Sequence, residues 1–132
     1  MVTEAELIAA AWAAREHAYA PYSGFSVGAA VLTSSGRVYS GCNVENATFP
    51  LTVCAERVAI TNAVSAGDRQ VLAVVVATET DPPAAPCGAC RQVIHEFGPS
   101  ARVVLVGSGS AQREFSIAHL LPEAFGGEFL RK

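Results

Sequence analysis

Five residues of this 132-residue chain have types and spacing suited to chemistry: four cysteines and one glutamate. Cys87-Gly88-Ala89-Cys90 follows Pro86 at a predicted helix start. Side chains three apart share a helical face, so both sulfurs can reach one ion. The exposed amides and dipole of a helix N-terminus also favour thiolate. Alone, this spacing suits a redox pair, half a zinc site, or neither. Cys54-Ala55-Glu56 sits at a second predicted helix start. Positions two apart face nearly opposite sides of a regular helix, so both can aim at one site only if Cys54 lies at the helix entrance. Three cysteines from two helix N-termini leave a fourth coordination position open, as in catalytic zinc; structural zinc has four protein ligands. Cys42 could close the site. It ends an apolar strand without a nearby ligand partner, however, and reads as a buried, inert thiol. A glutamate beside a metal-activated water can take its proton and hand it on.

The elements that must position these residues follow from pattern. Thr3 and Glu6 form a capping box, and apolar residues at helical spacing predict a helix over 3–19, stopped by Pro21-Tyr22-Ser23-Gly24. Phe25 to Thr33 and Arg37 to Cys42 read as a hairpin turned at Ser34-Ser35-Gly36. Cys54 to Ala66 is a second helix, ended by Gly67. Val71 to Ala77 and Arg102 to Val106 are continuous apolar runs, as in strands covered on both faces. Cys87 to Phe97 is a third helix, closed by Gly98-Pro99. Glu114 to Ile117 suits a short strand, and His119 to Phe125 a last helical turn or two. Helices interleaved with buried strands predict a three-layer α/β/α sandwich with a mixed, about five-stranded sheet. No repeat or linker divides residues 1–132, which are expected to form one domain.

Composition limits the partners. The chain is 51% apolar and 16% charged, with a net charge of −3, against roughly 25% charged residues in an average soluble protein. That excludes a disordered chain. The longest apolar run, Leu7 to Ala14, falls short of the about 20 residues of a membrane span. Nine Lys and Arg are scattered, so no basic stripe for nucleic acid is present. Glu4 and Glu6 stand where a signal peptide needs a basic start. A cytoplasmic protein is expected, whose cysteines stay reduced. The apolar excess has two readings: alanine richness, with 24 Ala, or a buried subunit interface.

Taken together, these residues resemble the cytidine deaminase family, in its small homotetrameric branch. The resemblance covers nearly the whole chain. It includes Pro21-Tyr22-Ser23, Phe25 to Ala30, Gly41 to Asn46, Cys54-Ala55-Glu56-Arg57, Pro86 to Gln92, and Leu120-Leu121-Pro122 with Phe125. A first ligand two residues before a Glu, followed by P-C-x-x-C, is the zinc-deaminase pattern. The resemblance implies one zinc per chain on Cys54, Cys87 and Cys90. Glu56 is then the proton shuttle: an activated water attacks C4 of cytosine, and Glu56 protonates ring N3 and then the leaving amine. The product is uridine or deoxyuridine plus ammonia, in pyrimidine salvage.

The same resemblance assigns supporting roles. Arg57 would hydrogen-bond the ligand sulfurs, offsetting the net −1 charge of three thiolates on a dication. Arg91 reads as structural. Asn43 and Glu45 would bind the ribose, Phe25 would pack on the pyrimidine, and main-chain groups at Ala55 would hold the base edge. Phe125 would enter an adjacent subunit's site. Glu45 would repel a phosphate, which favours a free nucleoside over nucleic acid, and no membrane partner is expected. Phe49 departs from the pattern, standing where many relatives have Tyr. His17, His95 and His119 have no place in it. Three other readings compete: a same-fold deaminase of another base or an antibiotic nucleoside, a thiol–disulfide oxidoreductase on Cys87 and Cys90, and a binding module with structural zinc closed by Cys42.

Overall fold

A computed structural model describes residues 1–131. Five strands form one sheet: β1 (Gly28–Thr33), β2 (Val38–Cys42), β3 (Val71–Ala77), β4 (Arg102–Val106) and β5 (Gln112–Ser116). Their order is β2-β1-β3-β4-β5. Only β3 and β4 run parallel; β1 pairs antiparallel with both β2 and β3, and β4 with β5. The sheet is therefore mixed and five-stranded, as expected. β3 and β4 match their predicted bounds to the residue, because their valine-rich runs lie in the buried centre.

Helices cover both faces. α1 (Glu4–Arg15) lies on one side, where Leu7 and Ala11 pack on Ala30, Val75 and Val104. α2 (Ala55–Ser65) and α3 (Gly88–Phe97) lie on the other, where Ile60 and Ile94 pack on Val31, Val74, Val103 and Leu105. Two glycines let these layers close. A Cβ at Gly28 would stand 2.0 Å from the Ala11 carbonyl oxygen of α1, and one at Gly41 would stand 2.6 Å from the Ala59 nitrogen of α2. Among the described residues no helix is long and apolar enough to cross a membrane.

The larger shifts of predicted boundaries each have a local reason. α1 begins as expected, with the Thr3 hydroxyl accepting the Glu6 amide. It ends at Arg15 rather than 19, because Tyr19 leaves to pair with the 43–45 segment: its amide donates to Asn43 O and its carbonyl accepts the Glu45 amide. β1 starts at Gly28 rather than Phe25, since the Asn43 side chain, instead of a sheet neighbour, satisfies the backbone at Phe25 and Val27. β5 starts two residues early, extending its ladder on β4 along the sheet edge. The last helix, α4, is Ile117–Leu120, not His119 to Phe125. Ser116 caps it, and Pro122 pushes Leu121 out of helical geometry.

One polar knot ties the hairpin to the segment after α2. Asp68 Oδ2 accepts hydrogen bonds from Tyr39 Oη (2.6 Å), Ser35 Oγ (2.8 Å) and Thr33 Oγ1 (3.2 Å). The Tyr39 hydroxyl most, then Ser35 and Thr33, hold this carboxyl below its ordinary value of 3.8. Its stabilisation is therefore complete above that ordinary value and is lost as pH falls through the lower folded value. Asp68→Ala should lower the thermal midpoint at pH 7, and the gap to the wild-type chain should narrow toward pH 3. Midpoints measured across that range check this; a gap independent of pH would overturn it.

Candidate active site

The two helices that carry cysteines begin beside each other. Cys54 is the N-cap of α2 and Cys87 the N-cap of α3, both in extended backbone. Cys54 thus stands at the helix entrance, the placement it needs to share a site with Glu56. Cys90 lies one turn into α3 and is buried. The three sulfurs all lie within 4.8 Å of one another. Cys42 is not in this group; it is half-buried at the end of β2 rather than buried as expected. Neither N-cap cysteine spends its side chain on its own helix. The first-turn amides of both helices therefore add positive potential where the sulfurs meet.

Charge within the cluster is unevenly held. The hydrogen bond from Cys90 pulls the Cys54 thiol down to about 5, with help from Arg57 and against the effect of burial. The same hydrogen bond, together with burial, pushes Cys90 up. Arg57 Nη2 donates to Cys54 Sγ and to the Thr52 carbonyl, each at 3.3 Å. Arg57 Nε is buried without a protein partner. A cation-binding set of three thiolates fits these surroundings: its soft donors suit zinc, and its surplus negative charge gives the guanidinium a counter-charge. Glu56, 4% exposed, stands in the first turn of α2. Burial, and then the charge on Cys54, push its carboxyl up.

A cavity of about 280 Å³ opens onto this cluster. Cys54, Glu56 and Cys87 line it, as do Asn43 and Glu45. Phe25 and Ala55 also line it. Seven of the expected site residues are thus brought to one space, with Cys90 and Arg57 directly behind. Phe125 is not. It is 56% exposed, stacks on Phe129 at 5.4 Å, and takes a hydrogen bond on its carbonyl from Gln92. None of the three histidines lines the cavity. Phe49 lies outside it, in a 3-10 turn (Phe49–Leu51), with its ring edge-on to Tyr22.

Some of the wall was not anticipated. Ser23, Thr52, Thr78, Ala84 and Ala85 also face the cavity. Ser23 stood inside a quoted motif but without a role. Thr78 follows the last residue of β3, and its hydroxyl accepts the Ala84 amide. That contact brings the loop before Cys87 against the sheet, and no local sequence signal announces it. Arg91 is structural as expected: it donates to the Pro86 and Leu120 carbonyls at 2.8 and 2.9 Å.

Comparison with known proteins agrees with this geometry. Residues 1–106 match the family model of the cytidine and deoxycytidylate deaminase zinc-binding region. The cytidine deaminase of Sporosarcina psychrophila is 49% identical over 126 residues, covering 95% of this chain and 93% of that protein. The crystal structure of cytidine deaminase from Burkholderia pseudomallei superposes with a TM-score of 0.90 at 53% identity, covering 94% of this chain and 100% of the other. That of cytidine deaminase from Mycobacterium tuberculosis gives 0.82 at 40% identity, covering 96% and 99%. With the three-sulfur cluster and the deaminase fold both in place, the chain belongs to the zinc-dependent cytidine and deoxycytidylate deaminase family.

Proposed function

We propose that the chain, as one catalytic domain over residues 1–132, hydrolyses cytidine and deoxycytidine to uridine and deoxyuridine with release of ammonia, as in pyrimidine salvage. The observation that carries this is one cavity lined by two thiols of the three-sulfur cluster and a buried glutamate, with Asn43 and Glu45 also in its wall. Cys54, Cys87 and Cys90 would hold one zinc per chain. Bound there, the ion supplies Lewis acidity and lowers the pKa of water. Glu56 does the proton work. Its carboxylate accepts one proton from the attacking water and delivers it to ring N3; it then takes the second proton, from the hydroxyl now on C4, and passes it to the amine, so that ammonia leaves as the C4 carbonyl forms. Protonation at N3 makes C4 electrophilic. Burial shields this exchange from bulk water.

The remaining residues hold the nucleoside. Phe25 packs on the pyrimidine face, and the main chain at Ala55 holds the base edge. Glu45 and Asn43 receive the sugar hydroxyls, which both donate and accept. The Glu45 carboxylate disfavours a phosphate nearby, so the partner is a free nucleoside rather than a nucleotide or nucleic acid, and the scattered basic residues support neither polymer nor membrane binding. Four free cysteines suit a cytoplasmic setting. Elemental analysis should find about one zinc per chain, and cytidine absorbance in the ultraviolet should fall on addition of the protein. Zinc near one per chain without deamination of cytidine or deoxycytidine would sink the proposal.

Arg57 has the task of compensating charge. Arg57→Ala should lose zinc or turnover, because three thiolates on a dication would then lack their neighbouring cation. Metal content and rate at wild-type levels in this variant would refute that task.

We read the assembly as a homotetramer of 13.7 kDa chains. Tyr22, Phe49 and Leu51 expose apolar surface, as do Phe125 and Phe129 in the C-terminal segment. Phe125 reaches a neighbour's cavity in this reading. Phe125→Ala should then raise the KM for cytidine several-fold while changing thermal stability little, in a protein whose sedimentation mass is four chains. A monomeric mass, or a purely thermal defect, argues against it.

A further inference from the structure

Glu45 and Asn43 face the cavity, but both also grip the loop that carries Phe25. Asn43, only 8% exposed, donates from Nδ2 to Phe25 O at 2.7 Å and accepts the Val27 amide on Oδ1 at 2.9 Å. Glu45 Oε1 accepts the Tyr22 and Ser23 amides at 2.9 and 3.1 Å. Glu45 Oε2 accepts the Ser23 hydroxyl. The same hydroxyl oxygen accepts the Phe25 amide at 3.0 Å. Among the described residues Ser23 is therefore the one side chain bonded to both the carboxylate in the cavity wall and the backbone of the ring in the cavity wall, and it lines the cavity itself.

From this bridge we infer that Ser23 is a positioning residue, which fixes Glu45 and Phe25 relative to each other for nucleoside binding. The inference deepens the proposed function and rests on it.

The count of acceptor sites makes the argument concrete. A carboxylate offers about four lone-pair sites. Three are taken by Tyr22, Ser23 N and Ser23 Oγ, which leaves one, on Oε2, for a single sugar hydroxyl. The Ser23 hydroxyl foremost holds Glu45 below its ordinary value, so an anionic acceptor is present at neutral pH. With the Ser23 hydroxyl gone, Oε2 has two open sites, Glu45 is held only through Oε1, and the Phe25 amide loses its acceptor. Sugar and base contacts then loosen together. Charge-assisted hydrogen bonds are the strong, directional ones, so the effect falls on binding.

The test compares Ser23→Ala and Ser23→Thr in the zinc-loaded enzyme, on cytidine and on 2′,3′-dideoxycytidine, the latter followed as substrate or as competitive inhibitor. Ser23→Ala should raise the KM for cytidine about tenfold, the size of one directed hydrogen bond to a charged group. Its kcat should change far less. Ser23→Thr keeps the hydroxyl and should stay within about threefold of the wild-type KM. On the dideoxynucleoside the Ala penalty should shrink at least about threefold, because the sugar no longer offers the hydroxyl that Glu45 receives. An equal penalty on both compounds, an unimpaired Ala variant, or a Thr variant as impaired as Ala would overturn the role of Ser23. A wild-type chain that leaves cytidine unchanged would instead overturn the proposed function, and this inference with it.

Discussion

Three cysteine sulfurs within 4.8 Å of one another would concentrate negative charge at one point when they bind a cation as thiolates, and the fold has to answer that charge. It does so by starting two helices there. Cys54 and Cys87 are both N-caps, so the positive ends of α2 and α3 converge on the cluster, and Arg57 adds a guanidinium at 3.3 Å from Cys54. The constraint extends outward from this point. α2 follows β2 through the segment 43–54, and α3 follows β3 through the loop 78–87. Their N-termini can meet only if both helices lie on the same face of the sheet. The shared cluster of Ile60 and Ile94 with Val103 and Leu105 holds them there.

Close packing sets the tolerance of that arrangement. Gly41 lets α2 approach β2 to a distance at which any Cβ would collide with the Ala59 backbone. Moving α2 outward would carry Cys54 and Glu56 away from Cys87 and Cys90, since all four sit in or just before the first turn of their helices. The metal-binding geometry and the helix–sheet distance are thus the same variable. Gly28 plays the corresponding part under α1, on the face away from the site.

The opposite wall is organised by polar side chains rather than by a sheet ladder. Phe25 to Val27 lie short of β1, and Asn43, Ser23 and Arg15 supply their hydrogen-bond partners, while Glu45 holds the amides of Tyr22 and Ser23 just before them. A loop held this way is ordered without being buried, which suits a surface that must meet a ligand. It also explains why residues with an expected binding role are already hydrogen-bonded: their first partners are the backbone that shapes the cavity, and only the remaining acceptor sites are free for substrate.

Much of this was legible in sequence, and the division is instructive. The valine-rich runs at 71–77 and 102–106 can be nothing but central strands, because they are apolar on both faces. The candidate cysteines and Glu56 stand out through spacing, since helix geometry makes side chains three apart coincide and a shared site requires Cys54 at the helix entrance; their roles as ligands and proton shuttle follow from the family resemblance. What the sequence by itself could not decide was how distant segments meet. That Cys42 stays outside the cluster, that β1 begins at Gly28, that Tyr19 leaves α1 to pair with residues 43–45, and that Ser23 bridges Glu45 and Phe25 are all consequences of contacts between segments far apart in the chain. Local pattern reports which face of an element is apolar and where a helix can begin. Only the closing of α2 and α3 on one sheet face decides which thiols share an ion and which carbonyls and carboxylates are left to shape a cavity.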